Sequence, residues 1–231
     1  QQLVAHVGKE NFFAGLKKYF AKHAWGNTVL SDLLVELEAT SGRDLTAWTK
    51  TWLQTAGVNT FRPDLKIADG KYSEVAVIQE VPSVPAGSTE LRPHRMAVGL
   101  YDVKNGKLER RKSVELDVSG ARTVIDGLAG EAVADLLLIN DHDLTYGKIR
   151  FDETSIATLK KHLGDITDSL TRALCWSAAW DMHRDGELSA TDYTEIVLNA
   201  LGKENEASVI GAQLVNLETA VEIYSAPANR E

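Results

Sequence analysis

Apolar and polar positions change period twice along the chain. Phe12, Phe13, Leu16, Tyr19 and Phe20 fall at i, i+1, i+4, i+7 and i+8, with Lys17, Lys18 and Lys22 on the other faces. That spacing predicts an amphipathic helix ending near His23, before the Gly26-Asn27 break. Leu30, Leu33, Leu34 and Leu37 predict a second helix that stops at Ser41-Gly42. Leu45, Trp48 and Trp52 share one face of a third, and Gly57 stands where a left-handed C-terminal residue is expected. Two tryptophans at a junction between helix and sheet read as a plug of buried aromatic area.

From about Thr60 to Ile139 the pattern is β-branched and alternating. Asp69-Gly70 separates Leu65-Ile67 from Val75-Ala76-Val77-Ile78, and Asn105-Gly106 separates Met96-Tyr101-Val103 from Leu108-Val118. Both dipeptides are two-residue hairpin signals that tolerate positive φ. Leu116-Val118, Arg122-Ile125 and Val133-Leu138 continue the strand series, while Val81-Pro82 and Val84-Pro85 mark an edge or a loop. A small antiparallel β-sandwich is the architecture such spacing predicts.

The helical period then returns. Asp152-Glu153-Thr154 opens a helix that reaches Gly164, and Thr167-Asp168 opens another that runs through Leu170, Leu174 and Trp180 to Asp185-Gly186. Ser189 and Asp192 form an approximate capping box ahead of Tyr193, Ile196, Val197, Ala200 and Leu201, and Gly202 ends that helix. Ile210, Leu214, Leu217, Val221 and Tyr224 place an apolar face on a fourth. Antiparallel helices on short turns predict the start of an α-solenoid. The fold class is therefore α+β and multidomain, with divisions at residues 1–57, 58–147 and 148–231. Three short helices before residue 57 are too few for a domain of their own and read as the tail of a larger one.

Composition narrows the functions. A net charge of −8 argues against nucleic acid as a partner. No apolar run approaches the roughly 20 residues of a membrane span. One cysteine, Cys175, permits no internal disulfide and makes a reducing cytoplasm the expected compartment. In its helical run between Leu174 and Trp176 it reads as a small buried hydrophobe. The chain opens Gln1-Gln2-Leu3-Val4, without initiator methionine or signal-peptide pattern, and is expected to be a piece of a longer polypeptide. Uncovered stripes at Phe12-Leu16-Phe20 and Leu214-Leu217-Val221 predict a homodimer, or disorder near a terminus.

Candidate chemistry is sparse. Asp181, Asp185, Gly186, Leu188 and Asp192 fit positions 1, 5, 6, 8 and 12 of a calcium loop. His183 at position 3 and Asp192 at position 12 are poor choices for that ion, and a plain helix-turn-helix accounts for the run. Asp141-His142-Asp143 offers metal-ligand types, yet adjacent residues rarely converge on one ion. His23 with Asn27 reads as a helix C-terminus rather than a polar site. Glu109-Arg110-Arg111-Lys112 reads as a solvated strand face. None of the six histidines begins an H-E-x-x-H run, and no G-x-S-x-G elbow, P-loop or Rossmann fingerprint occurs.

Several runs do carry a resemblance. Tyr19–Asn27, Asp32-Leu33-Leu34, Ser41–Leu45, Trp48 and Trp52–Asn59 resemble the end of the catalytic domain in M1-family zinc aminopeptidases. Asn140–Ile149 and Arg172–Asp181 resemble the stretch where the sandwich of the bacterial members meets the C-terminal helical domain. The resemblance implies the tail of a thermolysin-like domain over 1–57, a whole sandwich over 58–147 and the first helices of a superhelical domain over 148–231. It implies a parent that removes N-terminal residues from peptides, with zinc held by two His and a Glu, a Glu base, an amine-binding G-x-M-E-N Glu and an oxyanion-stabilising Tyr. None of those motifs matches a position here, so no catalytic or zinc residue is assigned and substrate-binding positions stay open. Trp48, Trp52 and Trp180 would be packing residues. Three classes remain at this point: an inactive structural piece of a peptidase shaping its peptide chamber, a stand-alone interaction module, and a calcium-binding helix-loop-helix protein.

Overall fold

The computed structural model describes residues 1–229. Four helices come first: α1 (Gln2–Val7), α2 (Lys9–His23), α3 (Leu30–Ser41) and α4 (Thr46–Leu53). Of the residues of α2, Gly15 alone is fully buried, because α3 crosses there. A Cβ on Gly15 would lie 2.7 Å from Leu37 Cδ2, so the missing side chain sets the approach of the two helices. Asp32 accepts from Val29 N at 2.9 Å to start α3, and Gly42, at φ +69°, ends it. Val7, Leu37, Leu45 and Trp48 form the small core of this part.

The end of α4 differs from the sequence expectation. The helix stops at Leu53 and its C-terminal cap is Gln54. Gly57 has the expected positive φ, +93°, but serves a chain crossing: a Cβ there would meet Pro82 Cβ at 2.4 Å and Val84 O at 2.5 Å. The tryptophan plug is present. Trp48 and Trp52 stack at 5.8 Å, and Trp52 Nε1 donates to Pro93 O at 3.0 Å.

Seven strands follow: β1 (Thr60–Ala68), β2 (Lys71–Glu80), β3 (His94–Lys104), β4 (Lys107–Val118), β5 (Arg122–Val124), β6 (Leu136–Asp141) and β7 (Lys148–Ile149). They form a four-stranded sheet, β5-β2-β1-β7, and a three-stranded sheet, β4-β3-β6. Both hairpin dipeptides turn as expected, with φ of +50° and +72° at Asp69-Gly70 and +52° and +75° at Asn105-Gly106. Leu116-Val118 is not a separate strand but the end of the long β4, and Val133 lies ahead of β6. The sandwich is mixed rather than purely antiparallel. β7 returns parallel to β1, with Thr60 opposite Lys148 and Phe61 opposite Ile149. That pairing becomes available because the chain reverses through the 140–147 loop before it runs on into helix.

β6 is buried at every position from Leu136 to Asp141. A strand with one wet face would alternate; this one has helices on its second face, and Leu137 N donates to Ser155 Oγ at 3.0 Å. The helices are α5 (Glu153–His162), α6 (Ser169–Arg184), α7 (Ala190–Ala200) and α8 (Ala207–Thr219). Asp152, Asp168 and Ser189 cap the first three, accepting from the backbone N–H groups of Ser155, Thr171 and Asp192. α8 is rotated relative to the face expected for it. Leu214 and Tyr224 are about half exposed, while Gln213 and Ala220 are buried, because the Tyr193 hydroxyl donates to Gln213 Oε1 at 2.7 Å. One hydrophobic cluster runs from Phe61 in β1 to Ala220, so sandwich and helices share a core. Among the described residues no helix is long and apolar enough to cross a membrane.

Gly99 shows how tightly that core is fitted: a Cβ would lie 2.5 Å from Asp141 Oδ2 and 2.8 Å from Tyr101 Cε2. Gly99→Ala is expected to destabilise the protein by about 2 kcal/mol through overpacking. Urea unfolding with an unchanged midpoint would contradict this account of the site.

Candidate functional site

The residues of the calcium-loop pattern do not converge. α6 continues through Asp181 and His183 to Arg184, and Asp181 accepts from Arg184 Nη2 at 3.0 Å. Asp185 accepts from Lys148 Nζ at 2.6 Å and from Arg150 Nη2. Glu187 accepts from Arg150 Nε at 2.7 Å and from Arg62 Nη1. Asp192 caps α7 with Ser189 and pairs with Lys160. His183 is buried; its Nδ1–H donates to Leu188 O at 3.0 Å, and the ring stacks 5.2 Å from Tyr193. Gly186 makes the turn at φ +80°. The calcium reading is therefore corrected: these carboxylates dock the α6–α7 turn onto basic residues of β1 and β7, and each is taken by a different cation.

Burial opposes ionisation of Asp185, but the bonds from Lys148 and Arg150 outweigh it and hold its pKa below the usual carboxylate range. Arg62 does the same for Glu187.

Asp141-His142-Asp143 diverges as well. Asp141 is fully buried and accepts from the Tyr101 hydroxyl at 2.7 Å and from Arg110 Nη1 and Ser113 Oγ at 3.2 Å. Thr171 of α6 reaches the same Tyr101 hydroxyl at 3.2 Å, tying sheet to helix. His142 turns outward to Arg110, and Asp143 faces a small cleft, of about 160 Å³, that Asp181, Tyr146 and Ser177 also line. Burial raises the pKa of both Asp143 and Asp181. Asn140, His142 and Asp143 all have positive φ, a shape held by the Asn140 amide, which exchanges two 2.9 Å bonds with the Thr145 backbone. Among the described residues no group of three or more His, Cys, Asp or Glu is placed to hold a metal ion.

The other candidates are packing residues. The Tyr19 hydroxyl meets Thr28 Oγ1 at 2.6 Å beside His23, whose Nε2 is buried without a partner. Cys175 is fully buried, which pushes its thiol pKa up. In the run Glu109-Arg110-Arg111-Lys112, Arg110 and Arg111 are more than a solvated face: Arg110 reaches buried Asp141, and Arg111 pairs with Asp102 and Glu131.

Two buried polar clusters were not foreseen. Arg92 lies under the end of α4 and donates to Thr55 Oγ1 (2.6 Å), Ala56 O (3.0 Å), Asn59 Oδ1 (3.2 Å) and Thr51 O (3.3 Å). Beside it His94 bonds Thr145 Oγ1 at 2.6 Å, and burial, helped by Arg92, pulls its pKa down to about 3. The buried Gln2 amide, with its nitrogen toward Thr145 Oγ1 (2.6 Å) and its oxygen accepting from Arg95 N (2.8 Å), pins α1 to the same place. In the second cluster Arg172 and Glu204 pair at 2.9 Å with side chains 7% and 2% exposed, and Trp176 Nε1 adds a bond at 3.1 Å. Burial opposes the Glu204 charge, but Arg172 and two backbone N–H groups bring its pKa to about 2. Polar letters in a loop or helix gave only one signal for these clusters, the bunching of Arg92-Pro93-His94 at a strand start.

A helical cap, a two-sheet sandwich and a helical row, with their polar groups joined to one another, describe a scaffold. Residues 136–231 match the ERAP1-like C-terminal domain. The chain belongs to the aminopeptidase N family, as its runs at Tyr19–Asn27 and Asn140–Ile149 indicated. It is 51% identical to aminopeptidase N of Streptomyces lividans over its whole length, which is 28% of that protein. It is 26% identical to tricorn protease-interacting factor F2 of Thermoplasma volcanium, covering 92% of this chain and 24% of that one. A crystal structure of Legionella pneumophila aminopeptidase A has the same fold over 97% of the chain and 26% of its own, with a TM-score of 0.58 at 16% identity. The chain thus spans about a quarter of the length of these relatives.

Removing Glu204 leaves a buried guanidinium uncompensated, so Glu204→Ala is expected to cost about 3 kcal/mol or more in chemical unfolding. Its folded pKa lies below the ordinary 4.5, so its contribution is complete above that pH and is lost as pH falls toward 2. In Glu204→Gln the stability slope between those limits should flatten; an unaltered slope would exclude the assignment. Calcium titrated into the protein should give no heat and leave the Tm where it is.

Proposed function

We propose that the chain is a structural part of an M1-type zinc aminopeptidase, a hydrolase that removes N-terminal residues from peptides, and that it does no chemistry itself. The observation that carries this reading is the end-to-end similarity to aminopeptidase N of Streptomyces lividans at 51% identity. It is supported by the absence of any H-E-x-x-H or G-x-M-E-N run in the sequence and by the structural use of the polar clusters described above. Residues 1–57 would be the last helices of the catalytic body, 58–147 the sandwich and 148–231 the first helices of a superhelical C-terminal domain.

On this reading the sandwich and helices wall a chamber that admits peptides and excludes folded proteins. Zinc would be held by residues of the parent outside this chain, and no residue here is assigned to metal, substrate or catalysis. The partners are peptides, with neither nucleic acid nor membrane involved, and the single cysteine favours the cytoplasm. Self-association of the isolated chain as a homodimer, through its uncovered apolar faces, belongs to the same reading.

Pure chain is expected to release no chromophore from alanine p-nitroanilide, with or without added zinc. Zinc-dependent turnover by the chain alone would overturn the proposal.

A further inference from the structure

The first three long helices carry more apolar surface than they cover. Phe13 and Phe20, seven residues apart on one face of α2, are 58% and 63% exposed. Trp25, just past α2, is fully exposed, and Val29, Leu30 and Val35 follow it into α3 uncovered. Single exposed hydrophobes are ordinary, but this density along two packed helices is not.

The turn that presents Trp25 is fixed rather than loose. Trp25 sits in left-handed backbone at φ +64°, the Tyr19 hydroxyl bridges to Thr28, Asp32 holds Val29 N, and Lys22 pairs with Glu36 at 3.2 Å across the two helices. A rigid, exposed tryptophan beside phenylalanines has the anatomy of an interface anchor. Next to it, α3 and α4 leave an open groove of about 450 Å³ lined by Leu34, Val35 and Leu45. Thr49 lines the same groove, and its hydroxyl is buried without a hydrogen-bond partner.

We infer that the face made by α2, the Trp25 turn and the α3–α4 groove is a docking surface for the bulk of the aminopeptidase polypeptide, the part of the relatives that this chain does not match. The inference rests on the reading of the chain as part of such an enzyme. Three facts choose this occupant. About three quarters of each relative lies outside the match, and the C-terminal type of domain occupies residues 136–231, which puts that bulk on the side of the first helices. Their own core, Val7, Leu37, Leu45 and Trp48, is too small to hold four helices unaided. A second copy is a poor fit, because α2 carries Lys9, Lys17, Lys18 and Lys22 against one Glu10, and a two-fold contact would set this basic helix on itself.

Hydrogen exchange on intact Streptomyces lividans aminopeptidase N and on this chain alone tests the assignment. Amides of the α2 and α3 stretch should exchange at least about tenfold more slowly in the intact enzyme. Equal rates would overturn the inference, as would slowing in the isolated chain that grows with its concentration, which would assign the face to a second copy. In a chimera with this chain in place of the matched stretch, Trp25→Ser should lower the Tm while leaving the isolated chain unaffected; an equal effect in both would reduce Trp25 to local packing and sink its role. These outcomes are independent of anilide turnover by the isolated chain, so docking can fail while the wider reading survives.

Discussion

Burial of β6 on both faces is the constraint on which the rest of the structure depends. Its Leu136-Leu137-Leu138-Ile139 run fills the sandwich on one side and receives α5 and α6 on the other. Separating sheet from helices would expose that strand, so the two parts stand or fall as one cooperative unit. Asp141 closes the strand with a charge that is fully buried, and the hydroxyls of Tyr101 and Ser113 and the guanidinium of Arg110 make that tolerable. Gly99 has to lack a side chain because this arrangement occupies its space.

Charge is used throughout as a fastener between segments distant in sequence. Arg62, Lys148 and Arg150 hold the α6–α7 turn through Asp185 and Glu187. Arg172 with Glu204 secures the start of α8, and Arg92 gathers the oxygens at the end of α4. Breaking one partner of a buried pair strands the other, so these contacts fix relative placement even where their net energy is modest. An acidic run between two helices therefore imitates a calcium loop in sequence while its carboxylates point to different bases in space.

Support is uneven along the chain. Residues from β1 onward share one large core, whereas α1 to α4 have a small one and lean on the sandwich through Trp52 and Gln2. The division is consistent with a scaffold whose second half is self-sufficient and whose first half is completed by further protein.

Much of the fold was legible in the sequence. Period and punctuation located α2, α3 and α5 to α7, both hairpin turns and the caps at Asp152, Asp168 and Ser189, because each depends on residues within a few positions of one another. Tertiary structure alone decided the parallel return of β7, the rotation of α8 onto Gln213 and the true use of Gly57, since each is set by a partner far along the chain: Phe61, Tyr193 and Pro82. The fate of the polar candidates was decided the same way. A sequence can state that Asp185, Glu187 and Asp141 are carboxylates, but which cations face them follows from packing, where desolvation forces every buried charge to find a partner.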